Sequence, residues 1–153
     1  MRGALAVVLP VLLSAQTSPE KPVAALLDDW HAAAAQADEA RYFGHMAEDA
    51  VFLGTDATER WSKAAFYAYA HPYFAKGKAW TFRSARRAIS VSADGRMAWF
   101  DEDLETANMG PCRGSGVLAK RHGRWLIVQY NLSVPIPNER MKEILALLGG
   151  KQP

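Results

Sequence analysis

The chain is poor in the features that usually identify a chemistry. Only one of its 153 residues, Cys112, is a cysteine, which excludes an intrachain disulfide and an all-cysteine metal site. The four histidines show no metal-ligand spacing, so we predict neither a metal nor a cofactor. Eighteen Lys and Arg against sixteen Asp and Glu leave a nearly balanced surface. This balance, without a basic stripe, argues against a nucleic-acid partner.

Long hydrophobic runs are also scarce, and the one clear run lies at the N-terminus. Met1-Arg2 is a short positive start, Ala4 to Leu13 is apolar, and Ser14-Ala15 offers small residues for cleavage. This pattern is typical of a signal peptide, because the run is too short for a helix that spans a bilayer core of about 30 Å. We predict a signal peptide over 1–15, cleaved near Ala15. The protein is then exported, either periplasmic or secreted, with no stable membrane anchor.

The remaining pattern predicts helices first and an antiparallel meander afterwards. Residues 16–22 form a predicted flexible lead, and residues 23–148 form one domain. We predict helices over 23–37, 39–47 and 63–70, strands over 51–53, 80–91, 97–108, 112–120 and 124–133, and a closing helix after Asn138.

This element order predicts an α+β fold with a cone shape. A curved antiparallel sheet wraps the N-terminal helices, and a helix closes the chain at the C-terminus. A cone of this kind has an open mouth, which supplies a pocket. The five Trp, six Phe and five Tyr residues fall on nearly every element, so those near the mouth offer a stacking surface to an apolar or aromatic ligand.

Three segments carry a resemblance to a known family. Phe52 to Trp61 resembles the loop that opens the third helix in SnoaL-like domains of the nuclear transport factor 2-like superfamily. Gly123 to Ser133 resembles their last strand, and Cys112 to Leu118 resembles the strand before it. The resemblance implies the cone of the nuclear transport factor 2-like or cystatin-like roll. It does not fix a function, because the superfamily includes isomerases, dehydratases, cyclases, ligand binders and association modules.

The resemblance also implies that one face of the last strand lines the cone. Strand alternation places Gln129 and Asn131 on that face, and Tyr130 and Leu132 on a face that meets a second subunit in a homodimer through the sheet. Many relatives have histidines where this chain has Gln129 and Asn131, and an amide cannot act as a general base. The two amides therefore either orient a ligand or are satisfied polar groups of a buried strand. The predicted ligand-binding residues are Trp30, Tyr42, Trp99, Arg113, Gln129 and Asn131.

Acidic side chains crowd the strand over 97–107, and alternation sends half of them to each face. Asp101 and Glu102 are the candidates for catalysis. An acid desolvated among Trp99, Phe100 and Trp80 would have a raised pKa and could move protons. In the alternative interpretation these acids are ordinary solvated charges.

Three function hypotheses follow from these observations. The first is the binding of a small apolar or aromatic molecule in the cone. The second is a lyase or isomerase, similar to ketosteroid isomerases or polyketide cyclases, that uses a pocket carboxylate. The third is a non-catalytic protein-association module. The sequence leaves open whether the protein is an enzyme.

Overall fold

The computed structural model describes residues 18–149, and the predicted signal peptide lies outside them. A short 3₁₀ turn at Asn138–Arg140 precedes the last helix. The elements are α1 (Lys21–Ala35), α2 (Glu39–Gly44), β1 (Met46–Leu53), β2 (Arg60–Ser62), α3 (Lys63–Ala75), β3 (Arg83–Val91), β4 (Met97–Thr106), β5 (Gly110–Arg121), β6 (Arg124–Ser133) and α4 (Met141–Leu147).

The strands form one curved, open sheet of six, in the order β2-β1-β6-β5-β4-β3. This confirms the predicted α+β class, with helices at the N-terminus and one at the C-terminus. All neighbouring strands are antiparallel except β1 and β6, which run parallel. The predicted meander covers only β3 to β6, because β1 joins the far side of β6 and carries β2 beyond it.

The first helix forms because its apolar residues recur at helical spacing. Val23, Leu27, Trp30 and Ala34 share one buried face that packs toward the sheet. The helix begins at Lys21 with a proline in its first turn, a position where the missing N–H costs nothing. The helix therefore includes the last two residues of the segment 16–22.

The third helix begins as predicted and ends later. The Ser62 hydroxyl accepts a hydrogen bond from the Ala65 N–H at 3.2 Å and so caps the first turn of the helix. The helix continues past Pro72 to Ala75, five residues beyond its predicted end. The extra turn buries Phe74, whose ring lies 5.3 Å from that of Tyr42, so tertiary packing outweighs the cost of the proline.

A β-bulge interrupts the alternation of β6. Leu118 pairs with Ile127, but the next pair is Val117 with Gln129, so Val128 has no opposite residue on β5. An extra residue of this kind moves every later side chain of the strand to the other face.

The bulge overturns the predicted faces of the last strand. Tyr130 and Leu132 are buried toward the helices, whereas Gln129 and Asn131 are half-buried on the opposite face. The prediction that the two amides line the interior, with Tyr130 and Leu132 facing another subunit, is wrong for this reason. Alternation alone cannot show where a bulge falls.

The predicted closing helix is present as α4, but none of its residues is buried. Within residues 18–149, no helix combines the length and the apolar character needed to cross a membrane.

Candidate functional site

A cavity of ≈ 180 Å³ opens at the edge of the sheet where β1, β4 and β6 end. The helices close it from above, and the segments that follow β1 and β4 form its rim. Thr55 and Met109 lie on this rim and are exposed to solvent. The cavity is lined by Trp30, His31, Tyr42, Phe52, Gly54, Thr55, Glu59, Trp61, Phe66, Tyr69, Trp80, Phe82, Met109, Tyr130 and Leu132.

Aromatic rings make up most of the wall and are locked against one another. Trp30 stacks on Tyr42 with ring centroids 4.8 Å apart, and Phe52 stacks on Phe66 at 3.8 Å. Trp30 also meets the ring of Tyr130 edge-on at 4.7 Å. Rings packed in this way are fixed before a ligand arrives, which lowers the entropic cost of binding.

One ionisable pair lies at the inner part of the wall. His31 on α1 lines the cavity, and its Nε2 lies 2.7 Å from Oε1 of Glu102 on β4. The Glu102 side chain is 0% exposed and that of His31 is 9% exposed. Glu102 is not a lining residue, so the histidine stands between this carboxylate and the cavity.

Arg87 on β3 holds Glu102 from the other side. Its Nε donates to Oε2 of Glu102 at 2.8 Å, and its Nη1 donates to Oδ1 of Asp28 at 2.7 Å. Burial alone raises the pKa of Glu102, but the hydrogen bond and charge of His31, together with those of Arg87, bring it below its usual value. Glu102 is therefore a carboxylate with both oxygens engaged.

Two tyrosine hydroxyls lie deep in the site. Burial raises the pKa of Tyr42 and of Tyr130 well above the usual value, so both remain protonated. The Tyr130 hydroxyl is buried without a hydrogen-bond partner among residues 18–149. A Cβ added to Gly114 would lie 2.5 Å from that hydroxyl and 3.0 Å from Oε1 of Glu102, so only glycine fits beneath them.

The structure places the predicted site residues in two groups. Trp30 and Tyr42 line the cavity, and Glu102 lies directly behind its wall. Trp99 is 52% exposed on β4 and does not line the cavity. Gln129 and Asn131 do not line it either, because the bulge turns them away.

The other two predicted residues lie on the outer face of the sheet. Asp101 and Arg113 are both solvent-accessible, and neither lines the cavity. Asp101 lies 3.7 Å from Arg86, and Arg113 lies 3.9 Å from Asp103. They form a surface charge ladder, so their predicted roles in catalysis and ligand binding have no support from this placement.

Sequence reasoning missed His31 and Arg87. Two signals were present. His31 follows Leu27 by four residues and so shares its inward face, and Arg87 lies on the same face of β3 as Ile89 and Val91, because the three follow one another at two-residue spacing. Their contact with Glu102 depends on how α1 crosses the sheet, which no local pattern shows. In the described part of the chain, no group of three or more His, Cys, Asp or Glu is arranged to hold a metal ion.

This arrangement of a curved sheet, N-terminal helices and an aromatic cavity corresponds to a known family. The family model for SnoaL-like domains matches residues 23–137, and the chain belongs to this family. Among curated proteins, none matches the chain significantly.

Solved structures of nuclear transport factor 2-like proteins share the fold. A protein of unknown function from Pseudomonas putida KT2440 is 16% identical, with a TM-score of 0.67 over 78% of this chain and 89% of that one. A proposed ketosteroid isomerase from Parabacteroides distasonis ATCC 8503 is 15% identical, with a TM-score of 0.63 over 80% and 91%. A proposed scytalone dehydratase from Novosphingobium aromaticivorans DSM 12444 is 8% identical, with a TM-score of 0.63 over 76% and 83%. At these identities the likeness concerns the fold alone.

Proposed function

We propose that this protein binds a small apolar or aromatic molecule in its cavity. The observation that carries the proposal is the composition of the wall: eleven of the fifteen lining residues are Trp, Tyr, Phe, Met or Leu, and nine of these eleven are aromatic. Those rings are already packed against each other. An apolar site of this kind, with a few polar groups, is the usual form of a small-molecule pocket.

The size of the cavity supports a ligand of about one ring. Its volume is ≈ 180 Å³, and an engineered apolar cavity of about 150 Å³ is known to hold benzene. Among the fifteen lining residues, His31 supplies the one imidazole and Glu59 the one carboxyl group, so the site suits a molecule with a flat apolar body and few polar groups. The association-module hypothesis predicts a filled interior, whereas residues 18–149 enclose this cavity.

Tryptophan fluorescence can test this proposal directly, because Trp30, Trp61 and Trp80 all line the cavity. We expect acetophenone, a one-ring quencher, to reduce the emission saturably and to raise the thermal midpoint. Leu132→Phe adds volume inside the cavity and should weaken binding about tenfold or more, because overpacking displaces the ligand. Leu126→Phe, on the same strand but outside the lining, is the matched control and should bind normally. Equal binding by both variants, or no saturable quenching, would contradict the proposal.

Catalysis by a pocket carboxylate, the second hypothesis, has less support. Glu102 is sealed behind His31 with both oxygens bonded, and Asp101 lies on the outer face. Neither of these two carboxylates lines the cavity, and the one that does, Glu59, accepts a hydrogen bond from the Asp56 N–H at 3.1 Å.

A homodimer through the sheet and export from the cell complete the proposal. Trp99 and Met97 are large apolar side chains that are exposed on β4, and a second copy of the sheet would cover them. Trp99→Lys should then convert a dimer to a monomer in analytical ultracentrifugation.

Export is supported by the N-terminal sequence pattern, and intact-mass analysis of protein from the native host should find the chain beginning near Gln16.

A further inference from the structure

We propose that His31 is a general base, which removes a proton from a weakly acidic C–H bond of the molecule held in the cavity. The inference rests on the proposed function, since a ligand must occupy the cavity, and it adds a reaction to the binding. It also differs from catalysis by a carboxylate, because the atom that meets the ligand is a ring nitrogen.

The first support is the state of the imidazole ring. An ionised carboxylate only accepts hydrogen bonds, so the Nε2 of His31 must carry the hydrogen that Glu102 accepts at 2.7 Å. In the neutral ring the lone pair then lies on Nδ1. This nitrogen has no hydrogen-bond partner among residues 18–149, and it is not among the polar atoms that are sealed from solvent. It is the one polar atom of the ring left for a ligand.

The second support is how firmly the pair is held. Glu102 is fully buried, and Arg87 donates to its second oxygen at 2.8 Å, so the carboxylate cannot swing away from His31. Among the described residues, Glu102 from β4 pairs with His31, and Arg87 from β3 pairs in turn with Glu102. A carboxylate that orients an imidazole and stabilises its protonated form is the arrangement of a histidine base. Glu102 is accordingly a positioning residue.

The third support is a contrast within the chain. His45 also pairs with a carboxylate, Asp29, at 2.7 Å, and His71 pairs with Glu39 at 2.8 Å. Neither of these histidines lines the cavity. Only the pair that reaches the cavity is buried, which fits a role toward a ligand better than a role in surface stability.

A suitable probe is 5-nitrobenzisoxazole, a small aromatic molecule with one acidic ring C–H. Nδ1 of His31 takes this proton, and the electron pair of the C–H bond forms the third bond of a nitrile. The N–O bond of the ring breaks, and its electron pair leaves on a phenolate oxygen that absorbs visible light. The imidazolium then returns the proton to water, so the reaction needs no other reactant.

We expect the wild-type protein to open this ring with saturation kinetics, faster than free imidazole at the same concentration. His31→Gln should lower kcat/KM about a hundredfold or more, which is the usual contribution of a positioned base. His45→Gln is the matched control and should leave kcat/KM unchanged. Glu102→Gln should lower kcat with little change in KM and alter the pH profile, because the amide no longer stabilises the imidazolium.

Two further measurements keep the test decisive. Binding of the unreactive analogue 5-nitrobenzimidazole, followed by tryptophan fluorescence, should persist in His31→Gln and shows that this variant is folded. In the wild-type protein, 2-bromoacetophenone should alkylate Nδ1 of His31, with loss of bromide, and peptide mass spectrometry locates the label. This measurement needs no variant.

The outcomes separate the two proposals. If the analogue binds but the ring is not opened, or if His31→Gln and His45→Gln are equally active, the base is overturned while the binding function stands. A label on His45 rather than His31 would overturn it as well. If neither the analogue nor the probe binds, both proposals fail.

Discussion

Replacing Arg87 with methionine tests whether the buried network holds the fold together. The substitution keeps an apolar stem of similar length and removes a guanidinium group that is 11% exposed. Glu102, which is 0% exposed, then loses one of its two charged partners and keeps only His31. Removing one partner of a buried ion pair costs about 3–5 kcal/mol, and the remaining bond to His31 favours the lower end. The bond to Asp28 adds little, since that carboxylate is 70% exposed.

The assay is urea unfolding at pH 7, followed by tryptophan fluorescence. A loss of about 3 kcal/mol is a large part of the roughly 5–15 kcal/mol that a domain of this kind has in total, so the midpoint should fall clearly. Arg86→Met is the matched control. Arg86 bonds Asp103 at 2.7 Å but is 60% exposed, so its loss should cost about 1 kcal/mol or less. Equal losses in the two variants would refute the reasoning that burial makes the Arg87 pair important.

Three smaller predictions follow from contacts around the site. Gly114→Ala should lower the free energy of unfolding by about 1–3 kcal/mol in thermal denaturation, because the new Cβ meets the Tyr130 hydroxyl. Unchanged stability would mean that β5 and the Tyr130 side chain can move apart to make room for the Cβ. Tyr130→Phe removes a buried hydroxyl without a partner among residues 18–149, so we expect urea unfolding to show unchanged stability or a gain of up to about 1 kcal/mol, and a clear loss would reveal a missed bond. The hydrogen bond from Arg41, followed by that from His45, lowers the pKa of Asp29 from 3.8 to about 2. The folded pKa lies below the unfolded one, so this contribution is present above pH 3.8 and is lost as the pH falls toward 2; NMR titration of the carboxyl should show the low midpoint, and one near 3.8 would contradict it.

The class of the fold and its hairpins could be predicted from local patterns. The β6 boundaries agree with the predicted strand at 124–133, and the turn before it is where His122 and Gly123 adopt positive φ of 50° and 78°. A two-residue turn of this kind suits the twist of an antiparallel hairpin, so the sequence shows it directly. Signals of this type work because all the interactions lie within a few residues.

The features that could not be predicted depend on how the strands pair with one another. β1 begins at Met46, inside a segment whose pattern favoured a helix, because its edge pairs with β6, where the Ile127 N–H donates to the His45 carbonyl at 2.9 Å. The bulge at Val128 is equally invisible in the alternation, although it decides which side chains enter the cavity. The first depends on the pairing of β1 with β6, which lie far apart in sequence, and the second depends on the exact register between β5 and β6.

The candidate site also contains features that the sequence predicts and features that it does not. Trp30 and Tyr42 were predicted as wall residues because aromatic side chains at helical spacing must face the interior, and both line the cavity. The contact between His31 and Glu102 joins residues separated by 71 positions, so no spacing rule could reveal it.

The burial of Glu102 can be explained from the sequence once the strand register is known. Its neighbours across the sheet are Arg87 on β3 and Gly114 on β5. Arginine supplies an opposite charge, and glycine leaves the space that the carboxylate and the Tyr130 hydroxyl occupy. The other acids of β4 face solvent beside surface arginines, so the register selects one carboxylate for burial. The first helix then brings His31 onto that carboxylate. The site therefore has two parts, the aromatic wall and the pair of His31 with Glu102. Variants of the wall should therefore change affinity, whereas variants of the pair should change proton transfer.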